Sequence, residues 1–142
     1  PYLPGLPLAP ATLEGAPTDA AGARVAELEG SRSWRLAFDA SYEGALAVRI
    51  GSDSGLSITL EERRLTVDLS GTRYPHGGRR IVTLDEGEAR RVEILHDRSI
   101  TEIYLGDGSR VFTTRTFLQG EGAGVTLSGA ASVTNVSAVR AD

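Results

Sequence analysis

The 142-residue sequence contains no cysteine, no methionine and no lysine. Because no disulfide is available, a hydrophobic core has to hold the fold together, and a chain of this length buries roughly two-thirds of its unfolded surface. The lack of cysteine fits either redox compartment. The lack of methionine, together with proline at position 1, leads us to expect a processed chain or a piece of a longer protein.

The charged residues are mixed in sign along the whole chain. All 15 basic residues are arginine, they are interspersed with 19 acidic residues, and the net charge is −4. Because no basic run forms, we do not expect nucleic acid as a partner. No apolar run approaches the roughly 18 residues of a membrane span, and no positively charged segment precedes an apolar core near position 1. We therefore expect neither a membrane anchor nor a signal peptide in this sequence.

Short segments of alternating apolar and polar residues, separated by Gly, Pro, Ser and Asp, run through the chain. Trp34, Leu36 and Phe38 follow a period of two, which predicts that Trp34 is a core residue rather than a sugar-stacking platform. Such patterns predict strands at residues 25–28, 34–39, 45–50, 56–60, 65–69, 92–94, 103–105, 110–117, 122–127 and 132–140. With no helical pattern of twelve residues, the sequence predicts an all-β fold, an antiparallel two-sheet β-sandwich of the concanavalin or lectin-like jelly-roll type.

The first part of the chain differs from the rest in its proline content. Proline occupies positions 1, 4, 7, 10 and 17, a spacing that excludes a helix interior or a central strand because each proline lacks the backbone N–H. We expect residues 1–21 to be an extended lead-in segment, lying on the sandwich or arriving from a neighbouring domain. The β-sandwich domain then spans residues 22–142.

Residues 91–117 carry a more specific pattern of three short strands and two turns. An apolar strand is followed by a fixed series of elements, namely Asp97-Arg98-Ser99, a strand centred on Glu102, the turn Asp107-Gly108, and a strand with Thr113, Arg115 and Phe117. In this order and spacing, the elements resemble the C-terminal β-sandwich domain of the glycoside hydrolase family 32 β-fructosidases, the invertases, levanases and inulinases.

The resemblance implies a non-catalytic module whose partner is the catalytic β-propeller domain of a parent enzyme that hydrolyses β-fructosides such as sucrose, levan or inulin. The family's catalytic carboxylates lie in Asn-Asp-Pro-Asn, Arg-Asp-Pro and Glu-Cys motifs, and none of these occurs in the sequence. We therefore predict no catalytic residue, and we expect an exposed apolar patch where the propeller docks. Localisation stays open between secreted and cytoplasmic relatives, and analogy with the secreted ones suggests export.

An alternative function is autonomous fructan binding, because relatives of this domain in carbohydrate-binding module family 66 bind terminal fructose. Carboxylates accept hydrogen bonds from neighbouring sugar hydroxyls, and arginine donates to sugar oxygens. The candidate carbohydrate-binding residues are Asp97, Ser99, Glu102, Arg73, Arg79 and Arg98. In the structural alternative, Glu102 pairs with Arg115 on the next strand, and Asp97-Arg98-Ser99 is a tight turn capped by its own side chains.

The loop over residues 70–79 and its flank combine aromatic and cationic side chains. Arg73, Tyr74, His76, Arg79 and Arg80 suit contacts with a sugar or with another domain, and a solvated loop is the alternative. Asn135-Val136-Ser137 matches the N-glycosylation sequon, a short pattern that also occurs by chance.

The sequence predicts no metal site and no cofactor. His76 and His96 are too few for a zinc site and have no cysteine or paired histidine beside them. Asp53 and Asp107 lie in Gly-containing turns but lack the run of acidic ligands that a calcium loop requires.

Overall fold

The computed structural model describes residues 5–18, 22–51, 55–69, 78–98, 100–106, 110–115 and 124–141. Within these ranges the chain forms eleven β-strands, with a 3₁₀ turn at Ala26–Leu28 between the third and the fourth. The strands are β1 (Ala9–Pro10), β2 (Leu13–Glu14), β3 (Ala23–Val25), β4 (Ser33–Ile50), β5 (Leu56–Glu61), β6 (Arg64–Asp68), β7 (Arg79–Thr83), β8 (Arg91–Asp97), β9 (Ile100–Leu105), β10 (Arg110–Arg115) and β11 (Val125–Arg140).

Two long strands, β4 and β11, pair with each other and belong to both layers of the fold. Residues 33–39 of β4 pair with β8, whereas residues 46–50 pair with β5. The first sheet therefore runs β10-β9-β8-β4-β11-β1, and the second runs β7-β6-β5-β4-β11-β3-β2. Every pairing is antiparallel, which confirms the predicted antiparallel β-sandwich.

The inner faces of the two sheets enclose a hydrophobic core. Trp34, Leu36 and Phe38 are fully buried, as their period of two predicted, and they face Val48 and Ile58 of the second sheet within one apolar cluster. Burial of this kind contributes roughly 25 cal/mol for each Å² of apolar surface removed from water. We call the side of each sheet that points away from this core its outer face.

The structure corrects several strand boundaries. Residues 34–39 and 45–50 were predicted as separate strands but are parts of β4, and residues 122–127 and 132–140 likewise fall largely in β11. The pattern lapses because residues 41–45 cross between the sheets and are mostly exposed. The strand predicted at 25–28 ends at Val25, and β7 was not predicted because its side chains are mostly exposed at an edge of the sheet.

The described part of the lead-in segment is attached to the sandwich. Ala9 and Pro10 pair with the end of β11, and Leu13 and Glu14 pair with β3. Ahead of these strands, the guanidinium of Arg35 donates a hydrogen bond to the backbone carbonyl of Leu6. Residues 6–14 therefore contact both sheets.

A buried polar row lies among the apolar rows of the first sheet. His96 lies opposite Trp34 on one side and Thr101 on the other. Its Nδ1 is 2.9 Å from Thr101 Oγ1, and its ring centroid is 5.4 Å from that of Trp34. Burial lowers the pKa of His96 to about 4, with the neighbouring Asp97 charge opposing part of the shift, so the imidazole is neutral at pH 7.

We expect Gly129→Ala to destabilise the chain by more than about 2 kcal/mol. Gly129 has a φ of +124° beside a bulge in β11, and an added Cβ would lie 2.1 Å from the Ala45 carbonyl oxygen. Gly30→Ala is the matched control, because Gly30 also has a positive φ, +80°, but has no atom within 4 Å of such a Cβ. Urea unfolding of both variants measures the difference, and equal losses would contradict the steric argument.

We expect the free energy of unfolding to decrease as the pH falls from about 6.5 to about 4, by up to roughly 3 kcal/mol. In this window the unfolded chain binds a proton at His96 that the folded chain does not. The contribution of neutral His96 to stability is therefore complete above the unfolded pKa of 6.5 and is lost as the pH falls toward the folded pKa of about 4. Urea unfolding at a series of pH values tests this. The variant His96→Phe with Thr101→Val, which replaces both hydrogen-bonding partners, should lose this part of the pH dependence, and an unchanged slope would refute the assignment.

Candidate functional site

The turn between β8 and β9 carries two of the predicted sugar-binding residues, Asp97 and Arg98. Arg98 has a φ of +55°, and its backbone N–H donates to the carbonyl of Arg32 at 2.8 Å. Asp97 accepts a hydrogen bond of 2.6 Å from the Ser33 hydroxyl, which connects the end of β8 to the start of β4. Both side chains are exposed, whereas Ser99 lies outside the described residues. These two contacts join the turn to the start of β4, and the capping of the turn by its own side chains stays a prediction.

Glu102 lies on the outer face of the first sheet, two residues past the start of β9. It accepts a hydrogen bond of 2.7 Å from the Tyr104 hydroxyl, which belongs to the same face. Across the sheet it lies opposite Leu95 and Thr113, while Arg115 lies opposite Ile100. The side chain of Arg115 is outside the described part, so the predicted Glu102–Arg115 pair remains a prediction.

The sheet pairing brings some of the predicted residues together and separates others. Asp97 lies opposite Ile100 in the pairing of β8 with β9, and Glu102 is two residues further along β9. Because strand positions two residues apart point to the same side, Asp97 and Glu102 share the outer face of the first sheet. Arg79 lies opposite Asp68 on the outer face of the second sheet, on the other side of the sandwich. Arg73 lies outside the described residues, as do Tyr74 and His76.

A mostly buried ion pair also occupies the outer face of the first sheet. Arg35 Nε donates to Glu93 Oε1 at 2.8 Å, from a position one strand away. The same guanidinium holds the Leu6 carbonyl, so the lead-in segment reaches this face. Because Arg35 alternates with the core residues Trp34 and Leu36, its side of β4 follows from the sequence, but no local signal indicated the partner on β8.

A groove that the sequence did not indicate lies where β4 crosses between the sheets. Two adjoining cavities of about 400 and 570 Å³ share Tyr42 and Glu62 in their linings. The Tyr42 hydroxyl donates to the Ala89 carbonyl at 2.8 Å, and burial raises the pKa of that phenol. The only available signal was the lapse of alternation over residues 41–45. We refer to this feature as the Tyr42 groove.

The described residues were also compared with the requirements of a metal site and of a membrane-spanning helix. No group of three or more His, Asp or Glu side chains is placed there to hold a metal ion. Asp53 and Asp107, considered above for calcium, lie outside the described ranges. Across the same ranges, no helix is long and apolar enough to cross a membrane.

Asn135 of the sequon is exposed and takes part in a bulge of β11. It has a φ of +52°, and its side-chain amide donates to Asp39 at 2.7 Å. This hydrogen bond, followed by that from Arg91, lowers the pKa of Asp39. The amide of Asn135 therefore has a structural contact in the described part of the chain.

Comparison with known proteins identifies relatives of this sandwich. Residues 16–141 match the family described as glycosyl hydrolases family 32 C terminal. No curated protein matches the chain by sequence. Among solved structures, sucrose-6-phosphate hydrolase from Lactobacillus gasseri is similar at a TM-score of 0.68 and 17% identity, over 92% of this chain and 28% of that one.

Two other enzymes show a similar domain. The β-fructofuranosidase BmSUC1 of Bombyx mori aligns at a TM-score of 0.69 and 17% identity, over 93% of this chain and 26% of the enzyme. The exo-inulinase of Aspergillus awamori aligns at 0.62 and 14% identity, over 93% of this chain and 27% of the enzyme. At these identities the structural similarity establishes a common fold, and the chain spans little more than a quarter of each enzyme.

Proposed function

This chain belongs to the glycosyl hydrolase family 32 C-terminal domain family, and from that membership we propose that it is the non-catalytic sandwich module of a β-fructosidase. In this role it packs on the catalytic propeller domain and stabilises it. The observation that carries the proposal is the match of residues 16–141, nearly the whole chain, to a domain that makes up about a quarter of the similar enzymes. Hydrolysis of a β-fructoside, such as sucrose, levan or inulin, then belongs to the propeller.

The outer face of the first sheet is the surface that we propose for docking. Ile100 is 40% exposed on this face, and Leu95 is buried there although it points away from the core. An exposed apolar side chain on an outer face is a feature of interaction surfaces, and Ile100 provides one on this face.

The path of the lead-in segment supports the same face. Because Arg35 holds the Leu6 carbonyl on the outer face of the first sheet, a domain preceding the chain would be tethered beside it. A covalent tether raises the effective concentration of the two surfaces, so a modest interface area is enough for stable packing.

We expect the chain to raise the thermal unfolding temperature of a family 32 catalytic domain from the same organism, produced without its own sandwich domain. A partner that binds the folded propeller but not the unfolded one stabilises it by mass action. The increase in unfolding temperature should therefore grow with the concentration of added chain. Differential scanning calorimetry of the mixture measures this shift, and size-exclusion chromatography measures co-elution.

Two isoleucine variants locate the interface in that experiment. Ile100→Asp should abolish the shift, because it introduces a charge into the proposed docking face. Ile81→Asp is the matched control, since Ile81 is 57% exposed on the outer face of the second sheet. A shift that survives Ile100→Asp but disappears with Ile81→Asp would place the interface on the opposite sheet, and no shift with native chain would refute the packing role.

A second candidate function is recognition of a terminal fructosyl unit. The observation in its favour is that Asp97 and Glu102 lie on the same face of the first sheet, and that Tyr104 shares this face. Each carboxylate accepts one described hydrogen bond from a hydroxyl, and a carboxylate has the capacity for about four, so both can also accept from a sugar.

For this second function we expect saturable binding of fructose or levan by the isolated chain in isothermal titration. Asp97→Ala and Glu102→Ala should each weaken binding, whereas Arg79→Ala should leave it unchanged because Arg79 lies on the other outer face. Circular dichroism verifies that the variants are folded. Absence of heat from a folded native chain would eliminate the candidate.

A further inference from the structure

We propose that the Tyr42 groove is a binding site for a segment of a neutral oligosaccharide chain. The groove is separate from the face proposed for propeller docking, and the proposal does not depend on that role. It lies at the start of β8, while Asp97 and the turn toward Ile100 lie at the other end of this seven-residue strand. At about 3.3 Å for each residue, the two regions are roughly 20 Å apart.

The crossing of β4 creates the space in the groove. Where this strand leaves one sheet for the other, small residues line the two cavities, namely Ala40, Ser41, Gly44, Ala45, Gly87 and Ala89. The cavities adjoin through Tyr42 and Glu62, so the depression is continuous rather than a closed pocket. An open, continuous groove fits an internal stretch of a chain better than a single terminal sugar.

Tyr42 provides a fixed aromatic surface in this groove. Its ring packs against the hydrophobic core on one side and lines both cavities. The hydrogen bond from its hydroxyl to the Ala89 carbonyl fixes the ring orientation. A fixed aromatic ring beside polar groups suits a sugar, because the C–H face of a sugar packs on the ring while its hydroxyls form hydrogen bonds.

The rim of the groove carries donors and acceptors for hydroxyl groups. Glu62 and Arg90 approach to 3.8 Å, and their side chains are 49% and 69% exposed, so this pair is weak and its polar atoms are open to a ligand. A carboxylate and a guanidinium at this spacing can accept from and donate to neighbouring sugar hydroxyls.

The charges of the lining indicate a neutral ligand. Three carboxylates balance three guanidiniums, since the lining includes Glu43, Glu61, Glu62, Arg63, Arg64 and Arg90. Glu61 and Arg64 are paired with each other at 2.8 Å at the rim. With no excess of either sign, the charges of the groove provide no net electrostatic attraction for a phosphorylated or acidic sugar.

The test is an NMR titration of the ¹⁵N-labelled chain with neutral fructo-oligosaccharides and malto-oligosaccharides of two to four units. We expect saturable amide shifts confined to residues 40–45, 61–64 and 87–90, with affinity that increases with oligosaccharide length. Glu62→Gln and Arg90→Ala should each raise the dissociation constant at least about tenfold. Tyr42→Phe keeps the ring and loses the hydroxyl. It should also raise the dissociation constant, because the hydrogen bond that fixes the ring orientation is lost.

Matched controls come from a similar exposed pair elsewhere on the chain. Arg24→Ala and Glu14→Gln alter an ion pair of comparable exposure away from the groove, and they should bind like the native chain. The proposal is overturned if no oligosaccharide produces saturable shifts, or if the groove variants bind as tightly as the controls. Shifts confined to residues 95–104 would overturn it in favour of the Asp97 and Glu102 surface. The Ile100→Asp experiment is independent, so failure of either proposal leaves the other testable.

Discussion

The pairing of β4 with β11 through their change of sheet is the constraint on which the rest of the structure depends. Both strands contribute one half to each layer, so their mutual hydrogen bonds hold the two sheets in register. The pairing of β11 with β4 is interrupted by two bulges, which let β11 bend with its partner. One bulge begins at Gly129, where a side chain would collide with the Ala45 carbonyl. The core, the outer faces and the Tyr42 groove all derive their positions from this crossing.

The crossing also explains why surfaces of different chemistry occur on one small sandwich. Where β4 changes sheets, residues 41 and 43–45 are exposed, and small residues leave the groove beside Tyr42. Along the first sheet, by contrast, Arg35 connects Glu93 and the lead-in segment across the outer face. We propose the first surface for a sugar and the second for a neighbouring domain. Family membership establishes the fold, but function has to be argued from such sites.

The candidate site was only partly predictable. Residues two apart on a strand share a face, so the common face of Glu102 and Tyr104 follows from their spacing in the sequence. It could not separate Arg79 from Asp97 and Glu102, because that requires knowing which strands pair and in which sheet. The ion pair of Arg35 with Glu93 was missed for the same reason, since its members are 58 residues apart.

By itself, the sequence determined the fold class, the core phase of Trp34, Leu36 and Phe38, and the family pattern of residues 91–117. These follow from alternation and turn chemistry, which act between residues close in the chain. Only the tertiary structure decided that β4 and β11 are continuous, that Arg79 lies apart, and that a groove forms at Tyr42. Each of these depends on contacts between distant segments, and local patterns do not encode which strands meet.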